Sequence, residues 1–429
     1  MTQVEPESPE PPISLAGYYR LIRYQRNFRR LWIAQIISEL GDWFYWVAIC
    51  DLLLRLTGTA QLVGLAVLVQ VLPMFLLGPT AGAVNDRVSR RTAMIVADLA
   101  RAAIVLGMVA VRTRDQLWLL FLLQAGEVVS ASFFEPARTA VIPNIVSEAE
   151  TLRANALSSA TWSFNLAVGS GLGGLVVHWL GRESAFVMNS LSFLASAALI
   201  MRMRFTEPHL EGRKSLAWAE ILGLAPILEG ARYVKGDPRL ASLLFLKFGL
   251  GLLGANLVLL PLMGDREFHL AGTAVLGMST LFLFRGVGAF LGPLLVGRLA
   301  GSSQSRMRLG VLAGFLVAGV CYLLFSRAPT LALAAACVAG AHAGGSVVWV
   351  FSTTLLQLNT EDRFRGRVFA ADFGLFTLTV AAAAYAVGFA VDHGVAPRST
   401  ALGLGLAMFV PAAVWGLALR LWRPRNCKL

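Results

Sequence analysis

Gly82-Ala83-Val84-Asn85-Asp86-Arg87-Val88-Ser89-Arg90-Arg91 stands between two apolar runs, at about 62–84 and 93–111, and reads G-x-x-x-D-R-x-x-R-R. A helix that crosses a bilayer needs roughly 20 apolar residues, so this stretch is a tight basic loop between two spans. Ten further runs are bounded in the same way by charged or Gly/Pro-rich breaks, at about 31–54, 116–134, 158–180, 185–201, 241–263, 275–299, 309–326, 331–356, 371–391 and 400–421. The composition agrees. Of 429 residues, 56% are hydrophobic and 14% charged, against about 25% charged in soluble globular proteins. The expectation is an all-α polytopic membrane protein with 12 transmembrane helices in two six-helix halves.

Lysine and arginine placement sets the orientation. The segments at 1–30, 85–92, 135–157, 202–240, 298–308, 357–370 and 420–429 hold most of the basic residues, and an even number of crossings puts both termini on that side, the cytoplasm. The net charge of +12 is therefore a topology signal, and nucleic acid is not an expected partner. Residues 1–30 read as a cytoplasmic tail, Glu/Pro-rich over Met1–Pro12 and with no signal peptide, together with an amphipathic surface helix over Ser14–Phe28. The first half is placed at 31–201, the second at 241–421 and a cytoplasmic tail at 422–429. The linker at 202–240 carries Leu216, Ile221, Leu224, Ile227 and Leu228 at near-helical spacing, which predicts a helix lying on the membrane surface. Gly78-Pro79 and Gly292-Pro293 occupy corresponding places in the two halves. Cys50, Cys321, Cys337 and Cys427 are scattered and lack metal-ligand or disulfide spacing.

The quoted loop resembles the signature of the major facilitator superfamily. Physically, Gly82 would let helices approach and Asp86 could cap or face a helix N-terminus. Arg87, Arg90 and Arg91 would pair with acids across the gap as a lock that breaks when the halves rock. The second-half counterpart, Gly297-Arg298-Leu299-Ala300-Gly301, lacks the aspartate. Further pieces, in order, are Asn27-Phe28-Arg29-Arg30-Leu31-Trp32, Gly41-Asp42, Phe134-Glu135-Pro136-Ala137-Arg138, Ala154-Asn155-Ala156-Leu157, Glu229-Gly230-Ala231-Arg232-Tyr233-Val234 and Arg365-Gly366-Arg367-Val368. Together they resemble the drug and siderophore exporter branch, which includes macrolide efflux proteins and the enterobactin exporter. That resemblance implies the major facilitator fold and secondary active transport, usually substrate out against protons in. Gly169-Ser170-Gly171-Leu172-Gly173-Gly174 resembles the antiporter motif G-P-x-x-G-G with serine in place of proline, so it also reads as a glycine face for close helix packing.

Each charge near the bilayer centre costs at least ~2.5 kcal/mol and calls for a partner or a task. Glu39, Asp42, Glu127 and Arg285 fall near the midplane. Glu39 and Asp42 are three residues apart on one helix and share a face. Two such acids in a low dielectric cannot both ionise cheaply, which suits a proton carrier. Asp42, Glu39 and Glu127 are thus the proton-coupling candidates, with structural hydrogen bonding as the alternative. Asp98 and Arg101, also three apart, are expected to form a structural ion pair. Asp372, at the start of span 11, is expected to cap that helix or meet Arg87. By resemblance it joins Gly82, Asp86, Arg87, Arg90 and Arg91 in a gating region. Lys247 can snorkel to the cytoplasm. Arg285, Trp46, Trp162 and His342 are substrate-cavity candidates, Arg285 either for an anionic group or to neutralise an acid of the other half.

No phosphate-binding G-x-x-x-x-G-K-[ST], H-E-x-x-H or G-x-S-x-G occurs, and Gly249-Leu250-Gly251-Leu252-Leu253-Gly254 matches G-x-G-x-x-G only inside an apolar span. No enzyme, metal or cofactor is expected, with a proton gradient as the energy source. The expected protein is a monomeric exporter of a bulky organic small molecule in the bilayer of the bacterial inner (plasma) membrane. The alternatives are a transporter of lysolipids or similar amphiphiles, and a membrane receptor that kept the fold without transport.

Overall fold

The computed structural model describes residues 15–210, 232–301 and 303–422. Its helices are α1 (Leu15–Tyr24), α2 (Arg26–Thr57), α3 (Ala60–Asn85), α4 (Arg90–Gly107), α5 (Leu117–Ile145), α6 (Glu148–Leu180), α7 (Arg182–Met201), α8 (Pro238–Gly251), α9 (Asn256–Arg266), α10 (Ala274–Ala300), α11 (Gln304–Phe325), α12 (Leu331–Asn359), α13 (Asp362–Asp392) and α14 (Pro397–Ala418). The helix expected over Leu216–Leu228 lies outside the described residues, as do residues 1–14 and 423–429.

Among the described residues, eleven helical stretches are long and apolar enough to cross a membrane, one of them the combined Pro238–Arg266. The expected first span falls on α2, which has the length at 32 residues. Its polar side chains, Gln35, Glu39, Asp42 and Asp51 among them, keep it below that standard of apolarity. The expected seventh span is broken: α8 gives way to a 3-10 turn at Leu252–Ala255 before α9 resumes. Tight helix contacts meet there, since a Cβ on Gly254 would overlap Val380 of α13. The G-x-G-x-x-G match is thus helix packing.

Two helices run past the apolar runs that announced them. α5 continues to Ile145 with Pro136 and Pro143 inside it, and α6 starts at Glu148 behind a Ser147/Glu150 capping box. Phe134–Arg138 and Ala154–Leu157 consequently lie within helices. Apolarity marks where lipid begins, whereas backbone hydrogen bonding and caps decide where a helix ends.

Helices α2 to α7 pack chiefly on one another, and α8 to α14 likewise, while α3 on α13 and α6 on α10 join the two groups. The α6–α10 contact is a meeting of small residues: a Cβ on Gly286 would strike the Ala167 backbone, and one on Gly174 would strike Ser279. The glycines of the altered antiporter motif also face α2, where Gly169 meets Trp43 and Gly173 meets Phe44. Ser170 donates to its own helix at Leu166 O (2.6 Å).

Candidate functional site

The centre of the first group is built around Arg101 on α4. Its Nε donates to Glu127 Oε1 of α5 (2.8 Å), and its Nη2 reaches both Asp42 oxygens of α2 (3.2 and 3.1 Å). Nη1 is 3.7 Å from Asp98 Oδ1, one turn back on α4. The guanidinium carbon also lies 3.9 Å from the centroid of the Phe193 ring on α7. Arg101, Asp98 and Glu127 are buried, while the Asp42 side chain keeps 34% of its surface exposed. The expected Asp98–Arg101 pair is present, yet it is the longest of three carboxylate contacts on a shared cation. Helical spacing exposes pairs within one helix and hides partners that come from two others.

Glu39 and Asp42 do not meet as a pair. Glu39 accepts from Gln35 Nε2 (2.8 Å) and from Asn165 Nδ2 of α6 (2.9 Å), both neutral donors. Behind Gln35 stands Arg138, which donates to Gln35 Oε1 (3.2 Å) and is ion-paired with Glu135 (2.7 Å). Three residues on a helix leave the side chains about 60° apart and one turn along the axis, and here one acid addresses α6 while the other addresses α4. Gln35, Asn165, Glu135 and Arg138 were missed as parts of this network. The available signal was their polarity inside or at the edge of a span.

The second group is assembled differently. Lys247 of α8 is 1% exposed; its Nζ donates to Thr353 Oγ1 (2.8 Å), lies 3.6 Å from Asp372 Oδ2, and sits 3.7 Å from the Trp349 ring centroid. It does not snorkel, because these groups replace water inside the bundle. Asp372 is in the third turn of α13, which begins ten residues earlier at Asp362, so it does not cap that helix, and its ion partner is Lys247 rather than Arg87. His342 of α12 is buried, with Nε2 2.9 Å from Asn256 Nδ2 and 3.2 Å from the Tyr322 hydroxyl, which also donates to Asn256 Oδ1. Arg285 of α10 lies near Tyr322 and His342 and 5.8 Å from the Phe282 ring centroid. Its Nε and Nη1 are shielded from solvent and have no acceptor among the described residues.

Of the aromatic cavity candidates, Trp162 is 48% exposed. Trp46 is buried in the core and faces no open space in this conformation; its position on the inner side of α2 is fixed by packing that no sequence period shows.

The signature loop holds its own half together. Ser89, rather than Asp86, caps α4, accepting from Thr92 N (3.2 Å). The carboxylate at that N-terminus belongs to Glu207, which receives the Arg90 amide (2.7 Å) and the Ser89 hydroxyl (2.6 Å). Asp86 is 70% exposed and 3.6 Å from Arg90. Arg90 Nη1 donates to Ala140 O on α5 (2.9 Å), Arg91 reaches the carbonyls of Ile200 and Met201 at the end of α7, and Arg87 Nη1 returns to Ala83 O (2.7 Å). These are carbonyls at helix ends, where cations are favoured.

The two ends of the molecule differ. Away from the arginine-rich end, Asp392 of α13 caps α3 by accepting from Ala60 N and Gln61 N (both 2.8 Å), and Gly388 meets the Ala60 backbone. At the arginine-rich end nothing lies within 4 Å of a Cβ built on Gly78, Gly82 or Gly297. A cavity of about 470 Å³ opens there, with Met74 and Gly78 of α3, Ser132, Glu135 and Pro136 of α5, and Phe373 of α13 in its wall. Among the described residues, Gly82 makes no close helix approach in this conformation.

Comparison with known proteins places these features. The Major Facilitator Superfamily model matches residues 31–373. The uncharacterised MFS-type transporter YfiS of Bacillus subtilis is 29% identical over 58% of this chain, and the match spans 57% of its own length, a little over half. Macrolide efflux protein A of Streptococcus pyogenes is 25% identical over 83% of this chain and 87% of its own. The enterobactin exporter EntS of Shigella boydii is 24% identical over 81% of each. In fold, the chain is similar to the nucleoside transporter NupG, with a TM-score of 0.72, 11% identity and coverage of 92% of this chain and 99% of that one.

Proposed function

This chain belongs to the Major Facilitator Superfamily, and from that premise we propose that it exports a bulky organic solute by alternating access, with protons moving inward through the Arg101 cluster. It is a multi-pass membrane transporter and not an enzyme. The export direction draws on the efflux proteins it is similar to. In this reading the membrane is the bacterial inner membrane, the arginine-rich end is cytoplasmic and the conformation is open to the cytoplasm.

The observation that carries the coupling assignment is one guanidinium shared by carboxylates from α2, α4 and α5. Three carboxylates against one cation leave two negative charges in excess, so the cluster takes up and releases protons as a unit rather than residue by residue. Asp42, the partly exposed member, is where a proton enters or leaves. Glu39, held by neutral donors, is a second carrier beside it.

Proteoliposomes with an imposed pH gradient, loaded in turn with a macrolide and a catecholate siderophore, test this. Wild-type protein should move at least one of them against its gradient, and Asp42→Asn should abolish the gradient-driven component. Unchanged driven flux in Asp42→Asn would sink the coupling assignment. A second reading, movement of a lysolipid or similar amphiphile, draws on the apolar side chains of Met74, Pro136 and Phe373 in the cavity wall. Flux that persists with no proton gradient would favour it.

A further inference from the structure

Arg285 is a cation without a counter-charge. It lies in the middle of α10, twelve residues into a 27-residue helix, and its Nε and Nη1 have no acceptor among the described residues. The polar groups nearest to it are neutral and already committed: Tyr322 donates to Asn256, and Asn256 donates to His342. Three acids of its own group are committed elsewhere. Asp372 pairs with Lys247, Glu267 with Arg398 (2.9 Å), and Asp392 caps α3. Arg285 is half-buried, and guanidinium donors shielded from water that go unused are unfavourable unless something completes them.

Arginine's planar fork selects a planar oxyanion that accepts two parallel hydrogen bonds, and carboxylate is the closest match. The surroundings are aromatic: Phe282 is buried beside the guanidinium, Phe284 is 37% exposed, and Trp43 of α2 lies 6.2 Å from Phe282 across the two helix groups. We propose that Arg285 is the recognition point for a carboxylate on the transported solute, the rest of which is apolar or aromatic. The cargo is then an acidic amphiphile whose anion sits on α10 of the second group, away from the carboxylate-rich Arg101 cluster of the first. That the ligand is cargo rests on the export reading; that an organic carboxylate binds at Arg285 does not.

The test uses full-length protein in nanodiscs of phosphatidylcholine, with decanoate and decanol as probes of equal chain length and different charge, and affinity read by isothermal titration calorimetry. Wild-type protein should bind decanoate about 30-fold or more tightly than decanol, the scale of a buried charge pair. Arg285→Met should abolish that preference, and Arg285→Lys, which keeps the charge and loses the fork, should retain part of it. Removing an uncompensated charge should leave the unliganded Arg285→Met protein at least as heat-stable as wild type; if it does not fold, Arg285→Lys carries the comparison. Equal wild-type affinity for the two probes, no decanoate binding to wild type, or an undiminished decanoate preference in the Arg285 variants overturns the proposal. Asp42→Asn separates the two readings: it should keep decanoate binding while losing gradient-driven flux. Loss of the binding preference at Arg285 variants alone, with flux still responding to Asp42, supports the carboxylate site independently of which solute is carried.

Discussion

Arg101 and Arg285 are the same side chain, each near the middle of a membrane helix, in opposite circumstances. Arg101 has three carboxylates and an aromatic face around it, whereas Arg285 has two shielded donors and, among the described residues, no acid. A charge in a bilayer is tolerated when the fold supplies its counter-charge, or when something outside the fold is meant to. In the first group the fold itself brings acids to the cation. The second supplies an acid to Lys247, Asp372, and leaves Arg285 open among the described residues.

The contrast is most easily broken at Arg101. Arg101→Leu leaves Asp42, Asp98 and Glu127 buried together without a cation and should destabilise by about 3 to 5 kcal/mol or prevent folding, read as loss of the thermal transition in detergent. Near-normal stability of that variant would remove the distinction between the two arginines. A finer probe ranks the carboxylates. Glu127→Gln gives up the shortest contact, 2.8 Å to Nε, and should cost about 1 to 3 kcal/mol. Asp98→Asn gives up a 3.7 Å contact and should be close to neutral; the reverse order would mean that Asp98 is the principal partner. The smallest effect is expected at the loop. Glu207→Ala removes the carboxylate at the α4 N-terminus and should lower stability by about 1 kcal/mol, while Asp86→Ala, on an exposed residue, should stay within about 0.5 kcal/mol. A larger loss of stability from Asp86→Ala would restore the capping role that its position in the motif suggests.

The expected ion pair, the loop motif and the midplane acids were all visible in the sequence, but their partners were not. Asp98 and Arg101 could be paired on paper because helical geometry brings residues three apart together. Glu127 and Asp42 join them from positions 26 and 59 residues away, and no local period encodes such a meeting. Asp372 shows the same limit from the other direction: the apolar run places it at a helix start, the backbone places it three turns in, and its partner is Lys247. Glu207 was hidden for another reason. It lies just beyond α7, outside the motif whose helix it caps, and a cap can be supplied by any carboxylate that reaches the N-terminus.

The amino-acid sequence by itself determined that the chain is a helical membrane protein, roughly where most of its helices run, and which few charges are stranded among them. These follow from the transfer of apolar and charged groups between water and lipid, which depends on composition along the chain. Only the tertiary structure decided which charges meet. It joined three acids to Arg101, gave Lys247 its partner, separated Glu39 from Asp42, and left Arg285 without a counter-charge. Those outcomes depend on how helices rotate and pack against one another, a matter of side-chain shape and small-residue contacts between distant segments.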